Sequence, residues 1–159
     1  MLKALLTATT LTLAAALPAA AADAPEDPLA AWEADRTAVL DAAGLDPDVF
    51  LWAARPVVVF ADTPRDPAFL EQMEELAEEL DRLVERDVVV IADTDPDARS
   101  ELRRALRPRG FMLALIGKDG EVELRKPFPW TVRELSRSID KMPMRQREMR
   151  DDDEEPVTN

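Results

Sequence analysis

The residues best placed to do chemistry are Asp62, Thr63 and Arg65, in the loop Asp62-Thr63-Pro64-Arg65 that follows the apolar run Val57-Val58-Val59-Phe60-Ala61. In an open α/β sheet, the loop leading from a strand to a helix is where ligands and reactive groups usually collect. A carboxylate, a hydroxyl and a guanidinium there can bind an anion or a partner peptide. Arg109, expected nearby across the sheet, and Trp52 and Arg55, just before the run, complete a candidate ligand- or partner-binding surface. The plainer reading of the loop is a surface turn with a helix cap. Trp52 and Arg55 then close the edge of the core, one packing and the other snorkelling.

What is missing narrows the chemistry further. The chain of 159 residues has no cysteine, no histidine and no tyrosine. Thiol chemistry is therefore excluded, because the thiolate is the nucleophile in all of it. The usual general base near neutral pH is missing too. Ser100, Ser136 and Ser138 have no histidine partner, and the close glutamate pairs fall on the solvent face of a helix. No catalytic residue is assigned.

Metal sites fare no better. Asp93-Thr94-Asp95-Pro96-Asp97 begins like a calcium loop, but Ala98 stands where the glycine belongs and Arg104 where the glutamate belongs. Helix capping by Asp95 explains it better. Met142, Met144 and Met149 suggest a thioether site for Cu(I), against the commoner reading of gap-filling core. No metal or cofactor is expected.

The run Val57–Ala61, three of its residues β-branched, reads as a strand buried on both faces, the middle of a mostly parallel sheet. Phe69, Met73, Leu76, Leu80 and Leu83 then mark one amphipathic helix, and Val88–Ala92 a second buried strand, together a right-handed βαβ unit. Residues 96–106 read as a shorter, Arg-rich helix. Segments 111–116 and 121–126 flank Gly117-Lys118-Asp119-Gly120, whose Asp-Gly signals a hairpin. A last helix starts at Thr131, with Glu134 completing a capping box, and halts at Pro143. Upstream, Leu29, Trp32, Val39, Leu40 and Ala43 form an uneven stripe that reads as a helix ended by Gly44.

The N-terminus carries Lys3, an apolar stretch from Ala4 to Leu17, and Ala20-Ala21-Ala22. That is the pattern of a cleavable signal peptide, residues 1–22, cut between Ala22 and Asp23. It is too short to span a bilayer, so no stable membrane anchor is expected. Its removal takes away one lysine and no acid, leaving 19 basic against 33 acidic residues. Such a surface repels nucleic acid and anionic lipid. Residues 151–159, opening with five carboxylates, read as a disordered acidic tail.

Arg55–Ala61, Phe111–Ile116 with Gly117-Lys118-Asp119-Gly120, and Ile139-Asp140-Lys141-Met142-Pro143-Met144-Arg145-Gln146-Arg147-Glu148-Met149 together resemble the bacterial DUF4174 family. That is a peroxiredoxin-like domain of unknown function, and the resemblance covers about residues 48–150. It implies a thioredoxin-like, three-layer α/β fold with a mixed four-stranded sheet in the order β-α-β-α-β-β-α, preceded by an N-terminal helical extension at 23–47. Related domains in secreted vertebrate matrix proteins imply an extracytoplasmic role. Asp66 stands where the Thr-x-x-Cys of a peroxiredoxin would place its reactive cysteine. The expectation is a non-catalytic domain, periplasmic or secreted, that binds an unknown periplasmic protein or small ligand. The alternatives are an enzyme using carboxylates and arginines of the 62–65 loop, or copper handling by the methionines.

Overall fold

The structure, a computed structural model, describes residues 27–154. The signal segment expected at 1–22, and the last five residues of the tail, lie outside them. Five strands form one mixed sheet: β1 (Val39–Asp41), β2 (Arg55–Phe60), β3 (Val88–Asp93), β4 (Met112–Ile116) and β5 (Val122–Lys126), in the order β1-β3-β2-β4-β5. The first three run parallel, β4 runs antiparallel to β2, and β5 antiparallel to β4. β2 is buried along its whole length, as an unbroken apolar run requires. Val58 and Phe60 face one core, and Val57 and Val59 the other.

Helices cover both faces. On the Phe60 side lie α1 (Pro28–Ala34), a 3₁₀ turn at Pro47–Phe50, and α4 (Glu101–Leu106). On the Val59 side lie α2 (Pro67–Glu78), α3 (Leu80–Val84) and α5 (Val132–Asp140). The expected capping box is present, with Thr131 accepting from the Glu134 amide and Glu134 from the Thr131 amide. Gln72, fully buried, exchanges two hydrogen bonds with the backbone of Trp130 at 2.8 and 2.9 Å and so fixes where α5 begins.

Four expectations are corrected. The sheet has five strands rather than four, because the upstream stripe is not one helix: α1 ends at Ala34, Asp35 turns the chain by accepting from Thr37, and Val39–Asp41 pairs with Val90–Ala92. Trp32 and Leu40 do share a core, but from a helix and a strand. Second, the long helix after β2 breaks at Glu79, although Phe69, Leu76 and Leu83 stay buried across the break. Third, residues 96–106 divide into a 3₁₀ turn at Pro96–Ala98 and α4, because Ser100 caps the latter. Last, the helix from Thr131 does end before Pro143, but that proline opens another: α6 spans Pro143–Glu154 and carries Asp151, Asp152 and Asp153, expected in the disordered tail, in helical form. Proline suits a first helical position, where its missing amide costs nothing.

The strand reading of 39–41 separates two neighbouring side chains, since Leu40 is 9% exposed and Val39 48%. Leu40→Ala is expected to lower unfolding free energy by about 2–4 kcal/mol, and Val39→Ala by about 0.5 kcal/mol or less. Urea titration of the two variants checks this; equal losses would restore a single helix facing the core with both.

Candidate functional site

The candidate residues divide between opposite ends of the sheet. Asp62, Thr63 and Arg65 follow the C-terminal end of β2, whereas Trp52 and Arg55 lie at its N-terminal end. At about 3.3 Å per residue, β2 holds the groups nearly 20 Å apart, so they form no common site. That corrects the expectation that they line one region.

The 62–65 loop is exposed, and the polar groups that flank it are used within the fold. Asp66 accepts from the amides of Ala68 and Phe69 at 2.9 and 3.1 Å, making it the cap of α2. Thr63 Oγ1 accepts from the Arg65 amide at 3.4 Å. Asp62 is exposed, 3.5 Å from Arg103. Arg103, on α4, commands this end: it donates to the Ala61 carbonyl at 2.8 Å, to the Asp93 carbonyl at 3.1 Å and through Nε to the buried Asp93 carboxylate at 2.9 Å, with Nη2 lying 2.7 Å from the same oxygen. Ser100 donates to the other Asp93 oxygen. The guanidinium also lies 5.6 Å from the centre of the Phe60 ring. Every carboxylate oxygen of Asp93 is therefore engaged inside the fold, and this cluster latches β2, β3 and α4 together.

The opposite end carries a second network, which the sequence pattern did not disclose. Arg55 is 1% exposed. It donates to the Arg86 carbonyl at 2.9 Å and to Glu148 of α6 at 2.8 Å. Lys118 reaches the same Glu148 oxygen at 2.9 Å and Asp87 at 2.7 Å; Asp87 also holds Arg36 at 2.9 Å. Arg145 lies 3.3 Å from the other Glu148 oxygen. Burial pushes the Glu148 carboxyl up, but the hydrogen bonds from Arg55 and Lys118 outweigh it and hold the group below its ordinary 4.5. Arg55 is thus a structural cation, whatever its place beside Trp52 suggested.

Trp52 is different. It is 68% exposed, with φ +65°, and its amide donates to the Lys118 carbonyl at 2.7 Å. A tryptophan in the left-handed region is an outlier of the kind that clusters at functional positions. Next to it, Leu51 borders a cleft of about 190 Å³ floored by Phe50, Leu102, Leu106 and Ile116. Leu51 and Val122, on opposite walls, are each 38% exposed.

Arg109 lies at the loop end, since Met112 of β4 pairs with Phe60. No hydrogen bond joins it to the 62–65 loop among the described residues; it lines a separate recess with Arg107, Arg125 and Lys126. Met142 is core, packed with Val132 and Ile139. Met142 and Met144 share a recess with Arg55, Lys118, Arg147, Asp119 and Glu123, and Met149 does not line it. Among the described residues no cluster of three or more histidine, cysteine or acidic side chains is arranged to hold a metal.

Residues 46–148 match the family described as "Domain of unknown function (DUF4174)". No curated protein is significantly similar to the chain. Among solved structures, thioredoxin peroxidase I of Plasmodium yoelii superposes with a TM-score of 0.50 at 15% identity, covering 65% of this chain and 80% of that one. Chloroplastic thioredoxin z gives 0.44 at 22% identity, covering 56% and 78%. The likeness is one of fold: an α/β, thioredoxin-like sheet, here of five strands and without a cysteine anywhere in the sequence.

Because folding depresses the Glu148 pKa, its stabilising contribution is complete above the unfolded value and is lost as pH falls through the folded one. Glu148→Gln is expected to cost about 2 kcal/mol near neutral pH. The gap from wild type should hold steady above about pH 5.5 and shrink below the ordinary glutamate value, where the native residue becomes protonated too. Denaturant titrations of both proteins across that range check it. A gap that does not change with pH would mean that Glu148 acts by packing alone.

Proposed function

The chain belongs to the DUF4174 family, and from that premise we propose that it is a non-catalytic, thioredoxin-like binding module exported to the periplasm, docking a partner protein at the cleft beside Trp52. The observation that carries the reading is an exposed tryptophan in a costly backbone conformation, next in the chain to Leu51, which lines an apolar cleft. Exposed aromatic anchors beside well-packed pockets are the usual centres of protein interfaces. The loop end offers no equivalent, since Arg103 and Asp66 use its polar groups within the fold.

Cleft size favours a side chain over a free small molecule. About 190 Å³ is below the roughly 300–1,000 Å³ of sites that enclose drug-sized ligands. Charge favours a basic partner: Asp48 lines the cleft, and Asp46, Asp119 and Glu121 are exposed beside residues that line it. The occupant is accordingly a large apolar side chain flanked by Lys or Arg. Export rests on Lys3, the apolar stretch from Ala4 to Leu17 and the Ala20-Ala21-Ala22 site, the order of a signal peptide.

Selection from a random peptide library is expected to enrich sequences with one large apolar residue next to basic ones. Affinity for the enriched peptides should fall about tenfold or more, roughly 1.4 kcal/mol, in Trp52→Asn and in Val122→Asp. Asparagine accepts a positive φ, so the first variant should unfold at or above the wild-type midpoint. Unchanged peptide affinity in both variants would remove the cleft from function.

A further inference from the structure

Three arginines gather at one recess, and Lys126 lines it with its ammonium turned to Trp130. Arg107, Arg109, Arg125 and Lys126 line a space of about 250 Å³ whose remaining wall is Leu106, Phe111, Met112 and Pro127. No carboxylate belongs to that wall, although acidic residues outnumber basic ones by 33 to 20 in the chain. Among the described residues, none of the four is paired with a carboxylate, whereas Arg36, Arg55, Arg86, Arg103 and Lys118 all are.

The four come from two converging segments, and two are held by contacts of their own. Arg107 ends α4 at φ +50°, and Gly110 at φ +68° turns the chain into β4, so Arg109 stands on a loop bracketed by two left-handed residues. Arg125 and Lys126 close β5. Arg125 donates to the Leu106 carbonyl at 3.1 Å, which fixes its guanidinium over the end of α4. Lys126 lies 4.2 Å from the centre of the Trp130 ring. Like charges gathered this way repel one another until an anion joins them.

We propose that this recess binds a phosphate monoester or a comparable multivalent oxyanion. Guanidinium forks match phosphate oxygens two at a time, and three such forks can share a doubly charged group. Phe111 and Met112 give the organic part of a monoester an apolar surface. The acidic remainder of the molecule does not cancel the attraction, since at physiological ionic strength its field fades beyond about 8 Å.

Isothermal titration of the full chain with inorganic pyrophosphate, at constant ionic strength, tests the proposal. One saturable site is expected, weakened about tenfold or more in the double variant Arg109→Gln/Arg125→Gln. Arg65→Gln, at the same end of the sheet but outside the recess, should bind as wild type does. Unfolding midpoints without ligand should stay close to wild type in the double variant, because relieved repulsion offsets the lost hydrogen bond from Arg125 to Leu106. Vesicles of phosphatidylcholine with and without phosphatidic acid identify the source: binding to the anionic vesicles that pyrophosphate displaces would assign a lipid headgroup to the same chemistry. Absence of saturable binding by wild type, or equal binding by the double variant, would overturn the site.

Discussion

A guanidinium sealed from water at the first residue of the central strand sets the terms for half of this molecule. Arg55 is 1% exposed, and an ion in that position costs several kcal/mol unless it is paired and hydrogen-bonded. The carboxylate that neutralises it, Glu148, stands 93 residues later on the C-terminal helix. Satisfying Arg55 therefore requires α6 to lie under the base of β2. Lys118 then brings in the hairpin turn, Asp87 the start of β3, and Arg36 the segment before β1. Four cations share two carboxylates, so none of these elements can withdraw without leaving a charge exposed to its like. Specific placement, more than gross stability, is what such a cluster supplies.

At the other end of the same strand Arg103 plays the corresponding part. It holds the Ala61 carbonyl, the Asp93 carbonyl and the Asp93 carboxylate, and so closes the place where a thioredoxin-like sheet usually keeps its reactive group. The two arginines make β2 a strand clamped at both ends by side chains from later in the chain. The buried polar groups at this end are hydrogen-bonded within the fold, and what faces outward is the exposed turn from Asp62 to Arg65. What stays open lies on the flank of β4 and β5, where the helical layer ends.

The parts legible in the sequence were those with local causes. Unbroken apolar runs gave β2 and β3, Asp119-Gly120 gave the hairpin, and Thr131 with Glu134 gave the start of α5. The parts that escaped depend on partners distant in sequence. β1 has only three residues, and its strand character comes from pairing with β3; taken alone, Val39 and Leu40 continue a helical stripe. Pro143 looks the same whether it stops one helix or opens the next, and what lies after it decides. Of the six candidate residues, Arg109 lines a recess, Trp52 is exposed beside Leu51, which lines the cleft, Asp62, Thr63 and Arg65 remain exposed in a turn, and Arg55 is buried. Glu148 gave no signal at all, being one carboxylate among many until the fold sets it beside Arg55.

Of the two strands at the edges of the sheet, β1 and β5, the second carries features that resist backbone pairing. β5 has a free edge, and a free edge invites another strand. Glu123, Arg125 and Lys126 interrupt it with charge, and a register irregularity opposite Leu115 and Ile116 bends it. Charged side chains and irregularities are the devices by which edges resist strand addition. The surfaces on either side are chemically opposed: an apolar cleft with acidic neighbours at the hairpin end, and a cationic recess at the other. The same short strand therefore separates two surfaces of opposite chemical character.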